Sequence, residues 1–320
     1  LRSDDAGISW APQTSGTTER LNGVAMADSN HGWAVGAGGT ILATTDGGGT
    51  WNPQESVLST NLYDVDFVST QIGWISGEQQ TIRHTIDGGM NWSFQTSHAV
   101  EPINAIDFVD AEHGSYAAWS TTTGRTADGG TTWIAQQLGG SNPDYFGVAH
   151  FSVELVVLVG SDSAIVRSED GGQTWNAAQN SVGTLFRDVT SHNQFGWAVG
   201  AGGAIAFSTD SGKTWTGQSS GSVGTLRSVV AFDASLAGDY DNSGIVDAAD
   251  YSVWRDNLGL STVLPNDHTP GVVDQTDYNT WKANFGMVLG TGSAAALPEP
   301  STCCVAILAA NVLLVRRQRQ

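Results

Sequence analysis

Short alternations of apolar and polar residues recur at residues 21–28, 62–68, 103–109, 146–151 and 186–190. A period of two over this length marks a half-buried β-strand. A second apolar run follows, as in Gly32-Trp33-Ala-Val-Gly36, Gly73-Trp74-Ile-Ser-Gly77 and Gly196-Trp197-Ala-Val-Gly200. Next come a glycine turn and a third strand, as at residues 40–44 and 204–208. Trp33 and Trp197 lie 164 residues apart, four times 41, so one unit is being copied.

The third and fourth strands of each unit flank a fixed phrase: Ser or Thr, Asp, two Gly and a closing Trp. Its aspartates are Asp46, Asp87, Asp128, Asp170 and Asp210, at steps of 41, 41, 42 and 40 residues. Its tryptophans are Trp51, Trp92, Trp133, Trp175 and Trp215. A weaker copy ends at Trp10, with Asp5 lying 41 residues before Asp46. Asp accepts bonds from backbone N–H groups further on, and glycine accepts positive φ, so the phrase predicts a tight turn between antiparallel strands. The Trp is then predicted to fill the wedge between neighbouring sheets. A repeat of about 41 residues in four strands is what one β-propeller blade requires.

The phrase resembles the Asp-box, or BNR repeat, of sialidases and many non-enzymatic propellers, and that resemblance implies a structural role for these aspartates. The whole unit, with its Gly-Trp-Ala-Val-Gly second strand, resembles the photosystem II assembly/stability factor family. This implies a seven-bladed scaffold that binds partner proteins without catalysis. Counting repeats gives an all-β propeller of six or seven four-stranded blades over residues 1–236. A sixth blade opens at residues 226–233 without an evident second strand, and residues 1–10 are predicted to supply its outer half. Leu1-Arg2-Ser3-Asp4-Asp5 aligns with Val166-Arg167-Ser168-Glu169-Asp170, so the sequence is expected to start within a blade, with an export signal upstream.

Residues 237–288 differ in kind. Asp239, Asp241, Ser243, Asp247 and Asp250 stand at positions 1, 3, 5, 9 and 12 of a loop, with Gly244 at 6 and the Ile245 carbonyl at 7. A short loop wraps oxygens around calcium in this spacing when a glycine allows the bend. Ending on Asp, the loop resembles the type I dockerin loop. A helix with Tyr251, Trp254 and Leu258 on one face should follow and stop at Gly259. The unit recurs 27 residues on as Asp277, Tyr278, Trp281, Phe285 and Gly286. Its loop keeps Asn266, Asp274 and Asp277 but has His268 and Pro270 at ligand places, so one Ca²⁺ site is expected to be good and the second poor or empty. The dockerin resemblance implies a cohesin-like partner.

After a linker at 289–297, the tail at 298–320 carries Pro298-Glu299-Pro300, an apolar run from Cys303 to Val315, and Arg316, Arg317 and Arg319. Thirteen residues are short for a membrane span. The pattern resembles the PEP-CTERM sorting signal, which implies exosortase-type processing and an address in the outer membrane, cell surface or matrix of a Gram-negative-type bacterium.

The formal net charge of −19 argues against nucleic acid or anionic membrane as main partner and suits calcium. Arg187 and Arg227 sit one residue into successive inner strands and Arg20 precedes the first, which makes an anion-binding channel mouth conceivable. Sialidases bind a carboxylate with three arginines. A glycosidase also needs an acid and a nucleophile or base, and spacing alone identifies no Tyr–Glu pair of the sialidase kind. The sequence therefore reads as an exported, non-catalytic propeller that binds a protein or glycan. The alternative is a sialidase-like glycoside hydrolase.

Overall fold

The computed structural model describes residues 11–56, 58–139, 143–232, 238–241, 243, 246–262, 264, 272–285 and 312–316. The chain forms two compact units, the first Leu1–Ala231 with Leu297–Ala306 and Leu314–Gln320, the second Phe232–Ala296 with Ile307–Leu313.

The first unit contains five four-stranded antiparallel blades, each in simple chain order. Blade 1 comprises Leu21–Met26, Gly32–Gly36, Ile41–Thr44 and Asn52–Gln54. Blades 2 to 5 open with the inner strands Leu62–Phe67, Ile103–Phe108, Tyr145–His150 and Phe186–His192, and each inner strand packs on the next. Gln179–Asn180 adds a fifth, parallel strand to blade 5 along Thr214–Ser219. A sixth blade begins with Ser228–Phe232. Val312–Arg316 pairs with it in a two-stranded sheet. That segment reads Val-Leu-Leu-Val-Arg, a composition suited to a strand. Residues 1–10 lie outside the described residues.

The recurrent glycine that closes each second strand has a steric cause. A Cβ on Gly36, Gly77, Gly160 or Gly200 would stand 1.9–2.4 Å from the carbonyl oxygen of Arg20, Asn61, Asp144 or Leu185. The chain entering each inner strand passes too close for any side chain there.

Neighbouring blades are held by aromatic stacking and a polar clamp. Trp33 stacks on Phe67 at 3.5 Å and Trp74 on Phe108 at 3.4 Å. Their indole N–H groups donate to the carbonyls of Gly88 and Gly129 in the next blade's Asp-box, at 3.0 and 3.1 Å. Gln54 and Gln95 donate to the same two carbonyls. The Gln95 Oε1 in turn accepts from Trp133 Nε1 at 3.1 Å. Tryptophans of the second strand share the packing between blades with those of the Asp-box: Trp33, Trp74 and Trp197 are all buried, and Trp92, Trp133, Trp175 and Trp215 pack in the same core clusters. Of the Asp-box set Trp133 and Trp215 are buried, and Trp51, Trp92 and Trp175 are half-buried.

The second unit is built on helices α1 (Ala248–Asn257) and α2 (Gln275–Asn284). Each starts with a capping box, Asp247 with Asp250 and Asp274 with Asp277. The two repeats clasp reciprocally, because Trp254 Nε1 donates to the Asp274 carbonyl and Trp281 Nε1 to the Asp247 carbonyl, both at 2.7 Å. Leu258 and Phe285 do not join the buried face. They terminate the helices and are more than half exposed.

Candidate functional site

Every inner strand of blades 1 to 5 contains a β-bulge near its start, which leaves one residue without a partner in the neighbouring strand's register: Asn22, Tyr63, Asn104, Phe146 and Arg187. A bulge re-aims its side chain. Asn22, Tyr63 and Arg187 line one cavity of about 410 Å³, with Arg20, Asn61, Arg227 and Ser228. The three arginines singled out in the sequence therefore converge from blades 1, 5 and 6. The Arg187 guanidinium lies 4.6 Å over the Phe146 ring. Burial, and then the like charge of Arg227, lowers the pKa of Arg187, so the pair favours a bound anion.

The structure also unites a Tyr and a Glu that sequence spacing did not pair. Tyr63 donates its hydroxyl to Glu78 Oε1 at 3.1 Å, and Glu78 also accepts from the backbone and side-chain nitrogens of Asn61. Burial, followed by Glu78, pushes the Tyr63 phenol up to about 12.

Further along the inner strands lie four carboxylates that stitch blade 2 to blade 3, blade 3 to blade 4 and blade 5 to blade 6. Asp64 accepts from the Ile106 backbone N–H, Asp66 from Phe108, Asp107 from His150 and Asp188 from Val229, at 2.7–3.0 Å. Loss of solvation pushes Asp64 up to about 7 and Asp188 to about 6. It also raises Asp66, with Asp107 as the next cause. Asp107 Oδ2 meets His150 Nδ1 at 2.8 Å, and His150 Nε2 meets Ser115 Oγ at 3.2 Å. The order resembles a nucleophilic triad, but Ser115 is sealed between blades at 1% exposure, and no acyl group can reach it there.

The Asp-box aspartates are spent on their own turns. Asp46 Oδ1 accepts from Thr44 Oγ1 and the Thr50 backbone N–H, and Oδ2 from Thr50 Oγ1, each at 2.8 Å. The same pattern surrounds Asp87, Asp128, Asp170 and Asp210. These bonds to the charged form hold Asp46 and Asp170 at about 2.

In the helical unit, Asp239, Asp241 and Asp250 offer carboxylate oxygens within 4.8 Å of one another. Asp239 and Asp250 are buried. Backbone N–H groups of Asp241 and Asp247 donate to Asp250, and that of Ser243 donates to Asp239 and Asp241. Three converging carboxylates form a hard-oxygen donor set of the kind Ca²⁺ takes. Asp247 stands outside this trio, its carboxylate capping α1 through Ala249 N–H at 2.7 Å. Ile245 and Asn266 lie outside the described residues. Asp274 and Asp277 repeat the capping arrangement of Asp247 and Asp250.

A family model described as Photosynthesis system II assembly factor YCF48 matches residues 3–94 and 145–237, more than half of the chain. The chain belongs to this family. Blade 3 falls in the unmatched interval, where Gly114-Ser-Tyr116 replaces the Gly-Trp of the second strands of blades 1, 2 and 5. No curated protein matches the chain. Among solved structures, one described as YCF48 bound to D1 peptide is 20% identical over 67% of this chain and 86% of its own, with a TM-score of 0.48. The WD40 β-propeller domain of Doa1 is 13% identical over 67% of this chain and 72% of its own, with a TM-score of 0.53. An ancestral GH74 enzyme is 14% identical over 70% of this chain and 34% of its own, at 0.57. The last two likenesses establish the propeller fold.

Within this YCF48-family propeller, sequence reasoning located the three arginines and missed the bulged residues between them. Their signal was present as the second residue of each inner strand. Tyr63–Glu78 left no such signal, because the two sit on adjacent strands and meet only through the sheet register.

Proposed function

We propose that this YCF48-family propeller is a non-catalytic binding scaffold whose mouth holds a carboxylate-bearing group of a protein or extracellular glycan. The observation that carries the reading is the convergence of Arg20, Arg187 and Arg227 on one cavity with no carboxylate among its lining residues. Guanidinium groups suit bidentate recognition of that anion. The Arg187→Ala/Arg227→Ala protein should bind carboxylate-terminated peptides and sialosides at least about tenfold more weakly than the parent. Amidated peptides should bind both proteins alike. Equal affinity of both proteins for the carboxylates, by calorimetry, would overturn the assignment.

The second reading, a sialidase-like glycoside hydrolase, is favoured by one observation: Tyr63, held by Glu78, lines the same cavity as the arginines. Turnover of aryl sialosides, lost in Tyr63→Phe, would establish it. Binding without turnover keeps the scaffold.

The helical unit, in this proposal, is a dockerin-like attachment module that holds one Ca²⁺ through Asp239, Asp241, Ser243, the Ile245 carbonyl and Asp250, and takes a cohesin-like partner. The tail from Pro298 is an exosortase-processed address on an exported, surface-associated protein. Asp241→Ala should abolish tight calcium binding at the first loop, and an unchanged calcium titration would remove the ligand assignment.

A further inference from the structure

The cavity that Arg20, Arg187 and Arg227 share has a second chemical side. Tyr63 lines it, and the single proton of its hydroxyl goes to Glu78 Oε1 at 3.1 Å. Toward the cavity the Tyr63 oxygen can therefore only accept a hydrogen bond. Its setting is fixed, because Asn61 spends its side-chain N–H on Glu78 and its carbonyl oxygen on the Gly38 backbone N–H. Guanidinium groups only donate, so a ligand that satisfies both walls offers an anion to one and a hydroxyl or N–H donor to the other.

The rest of the lining is polar. Among the nine described residues around this cavity of about 410 Å³, only Val24 and Ala37 have apolar side chains. That leaves little apolar surface for the side chain of a peptide end to bury, whereas a pyranose ring carries hydroxyls around its edge and fits a space of this size.

An aromatic side chain stands at the same end of the inner strands. The residue that follows each second strand donates its N–H to the carbonyl of the residue that precedes the inner strand: Ala37 to Arg20, Glu78 to Asn61, Trp119 to Pro102, Ser161 to Asp144 and Ala201 to Leu185. Trp119 thus takes in blade 3 the place from which Ala37 lines the cavity in blade 1 and Glu78 holds Tyr63 in blade 2. It is 40% exposed, unlike the buried tryptophans of the blade seams.

We propose, resting on the carboxylate-binding reading above, that the mouth takes an acidic sugar of the uronic acid class within a glycan chain. The carboxylate lies on the arginines, a ring hydroxyl donates to Tyr63, and the next sugar stacks on Trp119.

The probes are galacturonate, its trimer and cyclohexanecarboxylate, a six-membered ring acid without hydroxyls, titrated into the full chain by calorimetry. Galacturonate should bind more tightly than cyclohexanecarboxylate, and the ratio of the two affinities should fall about tenfold in Tyr63→Phe. The trimer should bind roughly tenfold more tightly than the monomer, and Trp119→Ala should remove that gain. A ratio unchanged in Tyr63→Phe, or a trimer gain that is absent or survives Trp119→Ala, would overturn the sugar site. If carboxylate-terminated peptides bind through Arg187 and Arg227 while galacturonate does no better than cyclohexanecarboxylate, the mouth takes a peptide and only the sugar assignment falls. If no carboxylate binds, or all bind the Arg187→Ala/Arg227→Ala protein equally well, the carboxylate-binding reading falls as well.

Discussion

At the scale of single residues, the Asp-box shows how backbone geometry selects side chains. The two residues after each Asp adopt positive φ, and in four copies both are glycine, as at Gly47 and Gly48 with φ of 65° and 86°. In the fifth copy Ser211 takes the first of these places at φ 56°. An L-residue is strained there. The bonds Ser211 makes run through its backbone, to Gln194 and from Arg167. Ser211→Gly should therefore keep every bond and raise stability by up to about 1 kcal/mol, since relief of strain outweighs the added freedom of the unfolded chain. Urea unfolding would read this, and a loss of stability would show that the serine hydroxyl contributes a contact of its own.

At the scale of strands, the blade interface depends on two tryptophan positions with unequal roles. Trp74 is fully buried, stacks on Phe108 and donates across the interface, so Trp74→Ala should cost about 3–5 kcal/mol. Gln95→Ala removes no large apolar volume but leaves Trp133 Nε1 without its partner and takes one donor from the Gly129 carbonyl, a loss of about 1–3 kcal/mol. Thermal unfolding of the two variants should rank them in that order. Strand order and Asp-box turns were readable in the sequence, because a period of two and a fixed Asp-Gly-Gly spacing are local signals. The glutamine clamp was written there too, as Gln13, Gln54 and Gln95 at steps of 41, yet its meaning appears only when one blade's edge meets the next blade's turn. The bulged residues share one place in the repeat, but the bulges themselves were not readable: a bulge is a mismatch between two strands, and no single strand reveals it. Leu258 and Phe285 were misplaced because an amphipathic pattern was extended one residue past the helix ends.

At the scale of the whole propeller, two sets of carboxylates oppose each other as pH changes. Asp64 and Asp188 titrate near 7 and 6 in the folded chain, above the usual unfolded value of roughly 3.9. They bind protons more tightly when folded. Their contribution is full below pH ~4 and fades as pH rises through 6 to 7. Asp46 and Asp170, near 2 when folded, contribute above pH ~4 and lose that contribution as pH falls through 2. Stability should thus peak in mild acid, and urea midpoints should be higher at about pH 4.5 than at about pH 7.5. Asp188→Asn retains an acceptor for the Val229 N–H and should flatten part of the decline above pH 5. A midpoint that rises steadily from mild acid to pH 7.5 would contradict the assignment.

The clamp through which the Trp and Gln of blades 1 and 2 reach into the following turn also bears on how such a chain can change its length. A copied segment of one full period arrives with half of each of two contacts, and both halves find their complements in the flanking copies. Gain or loss of a whole period at these blades therefore leaves their seams matched, whereas an insertion inside the strand or turn that carries the clamp unmatches a seam. Repeat number is then a dimension along which this architecture can vary by recombination, with the spacing inside the clamp held fixed.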